Sequence, residues 1–249
     1  MSRLAIAVPV FNEAGGIRTT LEALAAQADD DFDVYFVDNN STDDSVAIIT
    51  EFARDRPRWH VVHEPVKGTG AAADTGMRAA IAGGATILGR TDADCIPRAD
   101  WTAAIRRSLT TDGLKLVGGE LLARRDEGLP WHTIALLRGA VFLAEAFGRV
   151  RRGNKGDEYL GPYMMAAGCN VGITAELYEA CGGFPRTRIE DLHEDRALVN
   201  AARKVTADYA RRSDVVVYGS SRRVTAWGLK NTLLWYKDHA YRPEHVDIR

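Results

Sequence analysis

The feature that most constrains the fold of this chain is a repeated switch between two apolar patterns in its first hundred residues. Short apolar runs of strand length occur at residues 4–10, 32–37, 59–63 and 85–89. Between them, apolar residues recur with the period of one helix face, as over residues 17–28. Strands that alternate with helices predict an α/β fold with a mostly parallel, Rossmann-like central sheet and helices on both faces.

The rest of the chain adds further helices and strands without an internal repeat or a linker. Residues 41–44 predict a capping box that opens a helix, with Val46, Ile49 and Phe52 facing inward. Further elements are expected as helices at 71–82, 134–147, 174–181, 190–204 and 229–241 and as strands at 114–123 and 214–219. We therefore expect a single domain over residues 1–249.

Composition narrows the function classes. The chain has 249 residues, 46% of them hydrophobic, and a net charge of -2, so it has no general footprint for nucleic acid. Its three cysteines show no metal-binding spacing, which favours a reduced, cytoplasmic setting. No signal peptide and no apolar run long enough to span a membrane is apparent.

An acidic pair follows the fourth apolar run. The strand-length run at residues 85–89 is followed, from Thr91 onward, by Asp92, Ala93 and Asp94. Two carboxylates at this spacing can share one divalent cation, and Mg²⁺ and Mn²⁺ prefer oxygen ligands together with substrate phosphates. The pair predicts a metal site; an ordinary acidic turn is the alternative.

Polar residues also follow the other strands, at the sheet edge where ligands of α/β folds bind. Asp38 can accept hydrogen bonds from a ribose or a base, or it can be a turn residue. Lys67 and Gly68 precede a predicted helix, and a helix N-terminus suits a phosphate. They fit neither the P-loop nor the dinucleotide fingerprint, so we predict only that Lys67 lies near a nucleotide.

A second acidic group comes late in the chain. Glu194 and Asp195 open a predicted helix, and a carboxylate that projects into a cleft from such a position can act as a general base. The pair Glu190 and Asp191 lies four residues earlier, and an ion-paired surface helix is the alternative. The spacing alone leaves both pairs open.

Basic and histidine residues near the C-terminus offer further candidates. Arg222 and Arg223 follow the last predicted strand and could hold a diphosphate, although a solvated face is the alternative. Either His239 or His245 could supply a third metal ligand.

Taken together and in this order, the motifs resemble glycosyltransferase family 2, the nucleotide-sugar transferases of the GT-A fold. The resemblance runs from Leu4 to about Arg223, and it rests on the set rather than on any single motif. The matching segments are residues 8–13, 38–43, 67–76, 91–94, 168–170, 182–185 and 194–195. The chain departs at Ala73 and Asp74, where an arginine and an asparagine are common in the family.

The resemblance implies a role for each matched position. Residues 1–98 would form a nucleotide-binding half and residues 99–249 an acceptor-binding half. Nucleotide contacts would come from Pro9, Val10, Phe11, Glu13, Asp38, Asn40, Lys67, Gly68, Asp92 and Ala93. The remaining roles are metal binding by Asp94 with Asp92, catalysis by Asp195 with Glu194, and substrate binding by Gly168, Cys169, Asn170 and Arg222.

The implied reaction is an inverting transfer from a nucleoside diphosphate sugar to an acceptor hydroxyl. Mn²⁺ or Mg²⁺ would neutralise the leaving diphosphate, and Asp195 would accept the acceptor's proton. Uridine donors are the commonest expectation within the family, and the acceptor is not predicted. The chain has no QxxRW signature and no spanning segment, so it does not resemble a processive polysaccharide synthase.

Two other classes compete with this interpretation. A sugar nucleotidyltransferase would carry a glycine-rich N-terminal signature, in place of which stand Pro9, Asn12 and Glu13. The second class is an inactive nucleotide-sugar binder or scaffold of the same fold. The presence of Asp38, Asp92, Asp94 and Asp195 argues against it.

A surface contact is also open. Residues 134–147 are largely apolar and are followed by Arg149, Arg151 and Arg152, a pattern that suits a helix lying on a membrane surface. A core helix or a homodimer helix is the alternative interpretation of the same segment.

Overall fold

A single eight-stranded sheet organises the protein, for which a computed structural model describes residues 2–186 and 193–236. The strand order is β3-β2-β1-β4-β7-β6-β8-β5. Strands β1 (Leu4–Val10), β2 (Phe32–Asp38), β3 (Trp59–His63) and β4 (Ile87–Arg90) are parallel to one another. They form the predicted Rossmann-like half, and their register is continuous.

The second half of the sheet is mixed. It contains β5 (Ile96–Pro97), β6 (Leu116–Ala123), β7 (Val171–Thr174) and β8 (Tyr209–Gly219). β7 runs antiparallel to both β4 and β6, whereas β6 and β8 are parallel. Strand β8 begins five residues before the predicted strand at 214–219.

Eight α-helices surround the sheet in the described residues. They are α1 (Ile17–Ala25), α2 (Ser45–Ala53), α3 (Thr69–Ala82), α4 (Trp101–Thr110), α5 (Trp131–Val150), α6 (Ala175–Ala180), α7 (Glu194–Arg203) and α8 (Arg222–Tyr236). Helix α4 and strand β7 are absent from the sequence-based prediction. The apolar spacing of Trp101, Ile105 and Leu109 is nevertheless helical, and all three are buried.

Two hydrophobic clusters hold the helices on opposite faces of the sheet. One contains residues of α1, α2 and α4, such as Leu21, Ile49 and Trp101. The other contains residues of α3, α6 and α7, such as Met77 and Leu198. The predicted two-sided α/β fold is therefore confirmed.

Three local expectations need correction or lie outside the description. Residues 41–44 do not form a capping box: α2 begins at Ser45, and the Ser41 hydroxyl instead accepts a hydrogen bond from the backbone N–H of Asn12 at 3.0 Å. Helix α5 is longer than predicted and is not a core helix, because only Glu145 and Gly148 are buried in it. The predicted helices at 190–204 and 229–241 extend into residues 187–192 and 237–249, which lie outside the described part.

Candidate functional site

The carboxyl ends of β1, β2 and β4 meet at one edge of the sheet, and the loops that follow them are tied together. The side-chain oxygen of Asn12 accepts from the backbone N–H of Thr42 at 2.7 Å, and Glu13 donates its N–H to the Ser45 hydroxyl at 2.7 Å. The Asp43 carboxylate accepts from the N–H of Ala14 at 2.9 Å. Hydrogen bonds thus join two loops that are remote in sequence into one rim.

Asp38 ends β2 on this rim. Its carboxylate accepts from the Ser41 N–H at 3.0 Å, and its second oxygen lies 3.3 Å from Nδ1 of His63. Asn40 adopts a positive φ of 69°, which turns the chain, and its amide donates to the carbonyl oxygens of Glu64 and Pro65. The Asp38 side chain is 13% exposed at this edge, and the nucleotide contact predicted for it stays a prediction. The Asn40 amide is engaged within the rim.

Asn39, which the motif analysis did not single out, organises the approach to α3. Its buried amide donates to the carbonyls of Glu64 and Val66 at 2.8 Å, and its oxygen accepts from the Gly68 N–H at 2.8 Å. Gly68 has a φ of 148°, which side-chain-bearing residues rarely adopt, so this position requires glycine. The Lys67 ammonium is thereby presented 5.5 Å from the centre of the Phe11 ring.

Three predicted nucleotide positions are less accessible. Pro9 and Val10 lie inside β1, buried opposite β2, and can offer only backbone atoms at the strand end. Ala93 is 3% exposed, and its carbonyl oxygen accepts from the Thr20 hydroxyl at 2.8 Å. That bond holds the turn between Asp92 and Asp94 against α1.

The acidic pair after β4 is bracketed by arginines. Arg222, the first residue of α8, donates from Nη2 to Asp94 Oδ2 at 3.0 Å and to the buried Glu13 carboxylate at 2.9 and 3.0 Å. One guanidinium therefore lies between carboxylates of the segments that follow β1 and β4. A cation is favoured at this point of the site.

Arg90 makes the most informative contact of the site, and the motif analysis did not find it. It is 1% exposed at the end of β4 and donates to Asp92 Oδ1 at 3.0 Å and to Glu194 Oε1 at 3.3 Å. Its guanidinium also lies 4.9 Å from the centre of the Phe184 ring. Arg90 thus joins the two acidic motifs, which are a hundred residues apart in sequence. A charged residue in a buried strand was the available signal.

Asp195 and Gly168 complete this side. A Cβ at Gly168 would lie 3.1 Å from Arg90 Nη1 and 3.4 Å from the Cβ of Asp195, so Gly168 fits closely between them. Burial raises the pKa of the Asp195 carboxyl above its ordinary range, opposed by the Arg196 N–H and by the charge of Arg90. Partial burial likewise raises the pKa of Asp92.

Cys169 packs against the hydrophobic core, and Asn170 lies within the interior. The Cys169 thiol lies beside Cys95, which raises the pKa of the Cys95 thiol. Asn170 is fully buried: its amide donates to the carbonyls of Glu120 and Val215, and its oxygen accepts from the Trp101 indole at 2.9 Å. Its side chain joins β6, β8 and α4 and is not available to a substrate.

Asp74, where the resemblance leads one to expect asparagine, has a different local environment. Its buried carboxylate accepts from Arg78, from the Tyr178 hydroxyl at 2.9 Å and from Arg186 at 3.3 Å. Arg186 also donates to Glu64 at 2.7 Å. The guanidinium at this position therefore comes from another segment, which is fastened to the N-terminal part of α3.

The residues at the edge fit a divalent cation in part. Asp92 and Asp94 provide oxygen ligands, and Mg²⁺ is commonly held by one or two carboxylates with substrate phosphates. Within residues 2–186 and 193–236, no group of three or more histidine, cysteine or acidic residues is placed to hold a metal ion. The alternative base Asp191 and the candidate ligands His239 and His245 lie outside the described residues.

Comparison with known proteins places these motifs in context. The model of the family described as "Glycosyl transferase family 2" matches residues 5–181. The glycosyltransferase AglE of Haloferax volcanii is 28% identical over 121 residues, which cover 47% of this chain and 39% of AglE. The putative glycosyltransferase EpsH of Bacillus subtilis is 35% identical over 77 residues, covering 31% of this chain and 22% of EpsH. The matches thus span well under two thirds of both relatives.

Solved structures share the fold. The mannosyltransferase PcManGT of Pyrobaculum calidifontis, in complex with GDP-Man and Mn²⁺, superposes with a TM-score of 0.65 at 23% identity, covering 93% of this chain and 61% of that one. S. aureus TarS in complex with UDP-GlcNAc gives 0.63 at 15% identity, covering 93% and 65%. Glucosyl-3-phosphoglycerate synthase of Mycobacterium tuberculosis, with Mn²⁺ and UDP, gives 0.59 at 17%, covering 98% and 80%.

Proposed function

The chain belongs to glycosyltransferase family 2, and from that premise we propose that it transfers a sugar from a nucleoside diphosphate sugar to an acceptor hydroxyl with inversion. The observation that carries the proposal is the Arg90 bridge, which joins Asp92 of the proposed metal site to Glu194 beside the proposed base. In this proposal the bridge holds the leaving-group site close to the proton acceptor. A protein that only binds a nucleotide sugar would not require the proton acceptor.

The donor would lie along the rim. Asp38 and Lys67 are proposed to contact the nucleoside, because Asp38 ends β2 and Lys67 lies in the loop between β3 and α3, at the same edge of the sheet. Arg222 would contact the diphosphate, since its guanidinium already lies between Glu13 and Asp94. The fold neighbours bind both uridine and guanosine donors, so we propose the donor class and leave its base to experiment.

Asp92 and Asp94 would hold Mn²⁺ or Mg²⁺. When bound, the ion supplies positive charge to the diphosphate as it departs. The acceptor oxygen attacks the anomeric carbon while the bond from that carbon to the diphosphate oxygen breaks, and the acceptor's proton passes to Asp195. The raised pKa of Asp195 makes it a better proton acceptor than an ordinary aspartate.

Glu194 would act as a positioning residue. Its carboxylate is engaged by Arg90 and is buried, so it orients the first turn of α7 and with it Asp195. Gly168 would keep the base close to Arg90, since a side chain there would press on the Arg90 guanidinium, 3.1 Å from the added Cβ.

The test is thermal unfolding with UDP-, GDP-, dTDP- and CDP-sugars, each with and without Mn²⁺. A donor at about 100 times its Kd stabilises by roughly 2.7 kcal/mol, which raises the midpoint by roughly 5–11 °C for a chain of this size. Asp94→Ala should abolish the metal-dependent part of the shift, and Asp55→Ala, at an exposed site after α2, should not. No shift with any donor would contradict the proposal, and a shift without release of nucleoside diphosphate would favour the inactive binder.

A further inference from the structure

Helix α5 presents an apolar surface that the rest of the described protein does not cover. Its 20 residues, Trp131–Val150, contain six large apolar side chains that are between 59% and 80% exposed. They are Trp131, Leu136, Phe142, Leu143, Phe147 and Val150. We call these six residues the α5 outer face.

The α5 outer face is one continuous arc of the helix. At about 100° per residue, all six side chains fall within about 160° of the circumference. The smaller residues in the same arc are Ala135, Gly139 and Ala146, and its polar members are His132 and, at the edge in line with Trp131, Arg149. A helix side facing water would ordinarily carry several charged residues, and this arc has only Arg149, at its edge.

Contacts on the opposite side fix the rotation of α5. The buried Glu145 carboxylate accepts from Arg149 at 2.8 Å and from Arg211 of β8. The ring of Tyr163 packs against Gly148 so closely that a Cβ there would clash with it. Because these contacts with Arg211 of β8 and with Tyr163 hold the inner side of α5, the apolar arc is turned outward.

Basic residues border the outer face. Arg138 lies at one edge and is mostly exposed, paired at 3.2 Å with Glu120. Arg151 and Lys155 follow the C-terminal end of the helix and are exposed, and residues 149–155 contain four basic and no acidic residues. Asp157 and Glu158 follow after Gly156, and their negative charge offsets part of this positive charge. Attraction to an anionic surface would therefore supplement the apolar contact and not replace it.

We propose that the α5 outer face docks on an anionic lipid surface. Aromatic and aliphatic side chains on one helix side, bordered by arginines and lysine, are the features of a helix that lies in a membrane interface. Within residues 2–186 and 193–236, no helix is long and apolar enough to cross a membrane, so the contact would be peripheral. The proposal goes beyond the transferase activity and does not depend on it.

The test is sedimentation of the full chain with vesicles made of equal parts phosphatidylcholine and phosphatidylglycerol, compared with phosphatidylcholine alone. We expect binding to the anionic vesicles, weaker binding to the neutral ones and only partial loss in high salt. The double variant Phe142→Glu with Phe147→Glu should lower the partition coefficient by about tenfold or more.

The matched control places the same two charges elsewhere. Val61→Glu with Val205→Glu changes exposed apolar residues on β3 and after α7 and should bind as the parent does. As a second measurement, brominated lipids should quench tryptophan emission, and Trp131→Phe should remove much of that quenching.

Two results would overturn the proposal. One is no binding of the folded parent chain to either vesicle. The other is equal binding by the face variant and the control. A dimer that does not bind vesicles and becomes a monomer in the face variant would assign the α5 outer face to a second copy of the chain.

Discussion

Replacing Arg90 with methionine tests the contact that joins the two halves of the site. Methionine keeps much of the aliphatic length but removes a fully buried guanidinium from between Asp92 and Glu194. The Glu194 side chain is 10% exposed and would lose its cationic partner, whereas Asp92 is 30% exposed and can reach water.

The magnitude follows from that difference in exposure. Breaking a buried ion pair from one side costs about 3–5 kcal/mol, because the remaining charge is left without compensation. With one buried and one partly hydrated carboxylate, we expect about 3 kcal/mol. For a chain of this size that lowers the melting midpoint by roughly 6–12 °C.

The assay is thermal or urea unfolding at neutral pH, with two companion variants. Arg90→Met combined with Glu194→Gln should recover about half of the loss, because the amide removes the uncompensated charge. Arg58→Met is the control: it makes the same substitution at a pair whose side chains are 53% and 69% exposed, so it should cost under about 1 kcal/mol.

Acidification adds a second, independent check. Removing Arg90 takes away a charge that lowers the pKa of Asp92, so the folded-state pKa of this carboxyl, already raised by burial, rises further above the unfolded value. Such groups favour the folded state at low pH, and that stability is lost as the pH rises. The deficit of Arg90→Met should therefore shrink on acidification, and a midpoint within about 2 °C of the parent at neutral pH would refute the bridge as an energetic contact.

Three further predictions concern the base, the rim arginine and the buried amide. Asp195→Asn should lower kcat by about 10²- to 10⁴-fold with little change in donor affinity. In the parent, kcat should fall with decreasing pH through a range set by the raised pKa of Asp195, because only the ionised form accepts a proton. Steady-state kinetics across pH would exclude this role if the variant kept a tenth of the rate. Without donor, Arg222→Gln should tighten Mn²⁺ binding by about two- to fivefold, since the guanidinium competes with the ion for Asp94. Electron paramagnetic resonance measures the free Mn²⁺, and equal binding by the variant and the parent would contradict this competition. Asn170→Ala should lower the free energy of unfolding by about 3 kcal/mol, because it leaves the Trp101 indole and two carbonyls unpaired. A donor should still raise the melting midpoint of this variant. Loss of that shift in a folded variant would instead assign Asn170 to the site.

Much of the first half of the fold can be predicted from the sequence. The strand at residues 59–63 was predicted with its observed bounds, and the strand at 4–10 likewise, because an apolar run with sharp polar ends is a local pattern. Capping was less predictable. Ser41 has the residue type of an N-cap, but its hydroxyl is used by the neighbouring loop, and no local pattern reports such a partner.

The second half depended more on distant contacts. Strand β7 is only four residues long and gains its place by pairing antiparallel with β4 and β6. So short and glycine-containing a run carries too weak a period to be separated from a loop. Asn170 illustrates the same limit for function, since its type and motif suit a substrate contact but the fold buries it completely.

What the sequence by itself determined is the alternation of strands and helices and the presence of acidic residues at the strand ends, since periodicity and spacing are properties of neighbouring residues. What only the tertiary structure decided is how those residues are paired and exposed. Arg90 reaches Glu194 across 104 positions, and α5 turns its apolar residues outward because Glu145 is bound by Arg211 and Gly148 packs against Tyr163. Ion pairing and burial depend on which surfaces exclude water together, and that is settled only when distant segments pack.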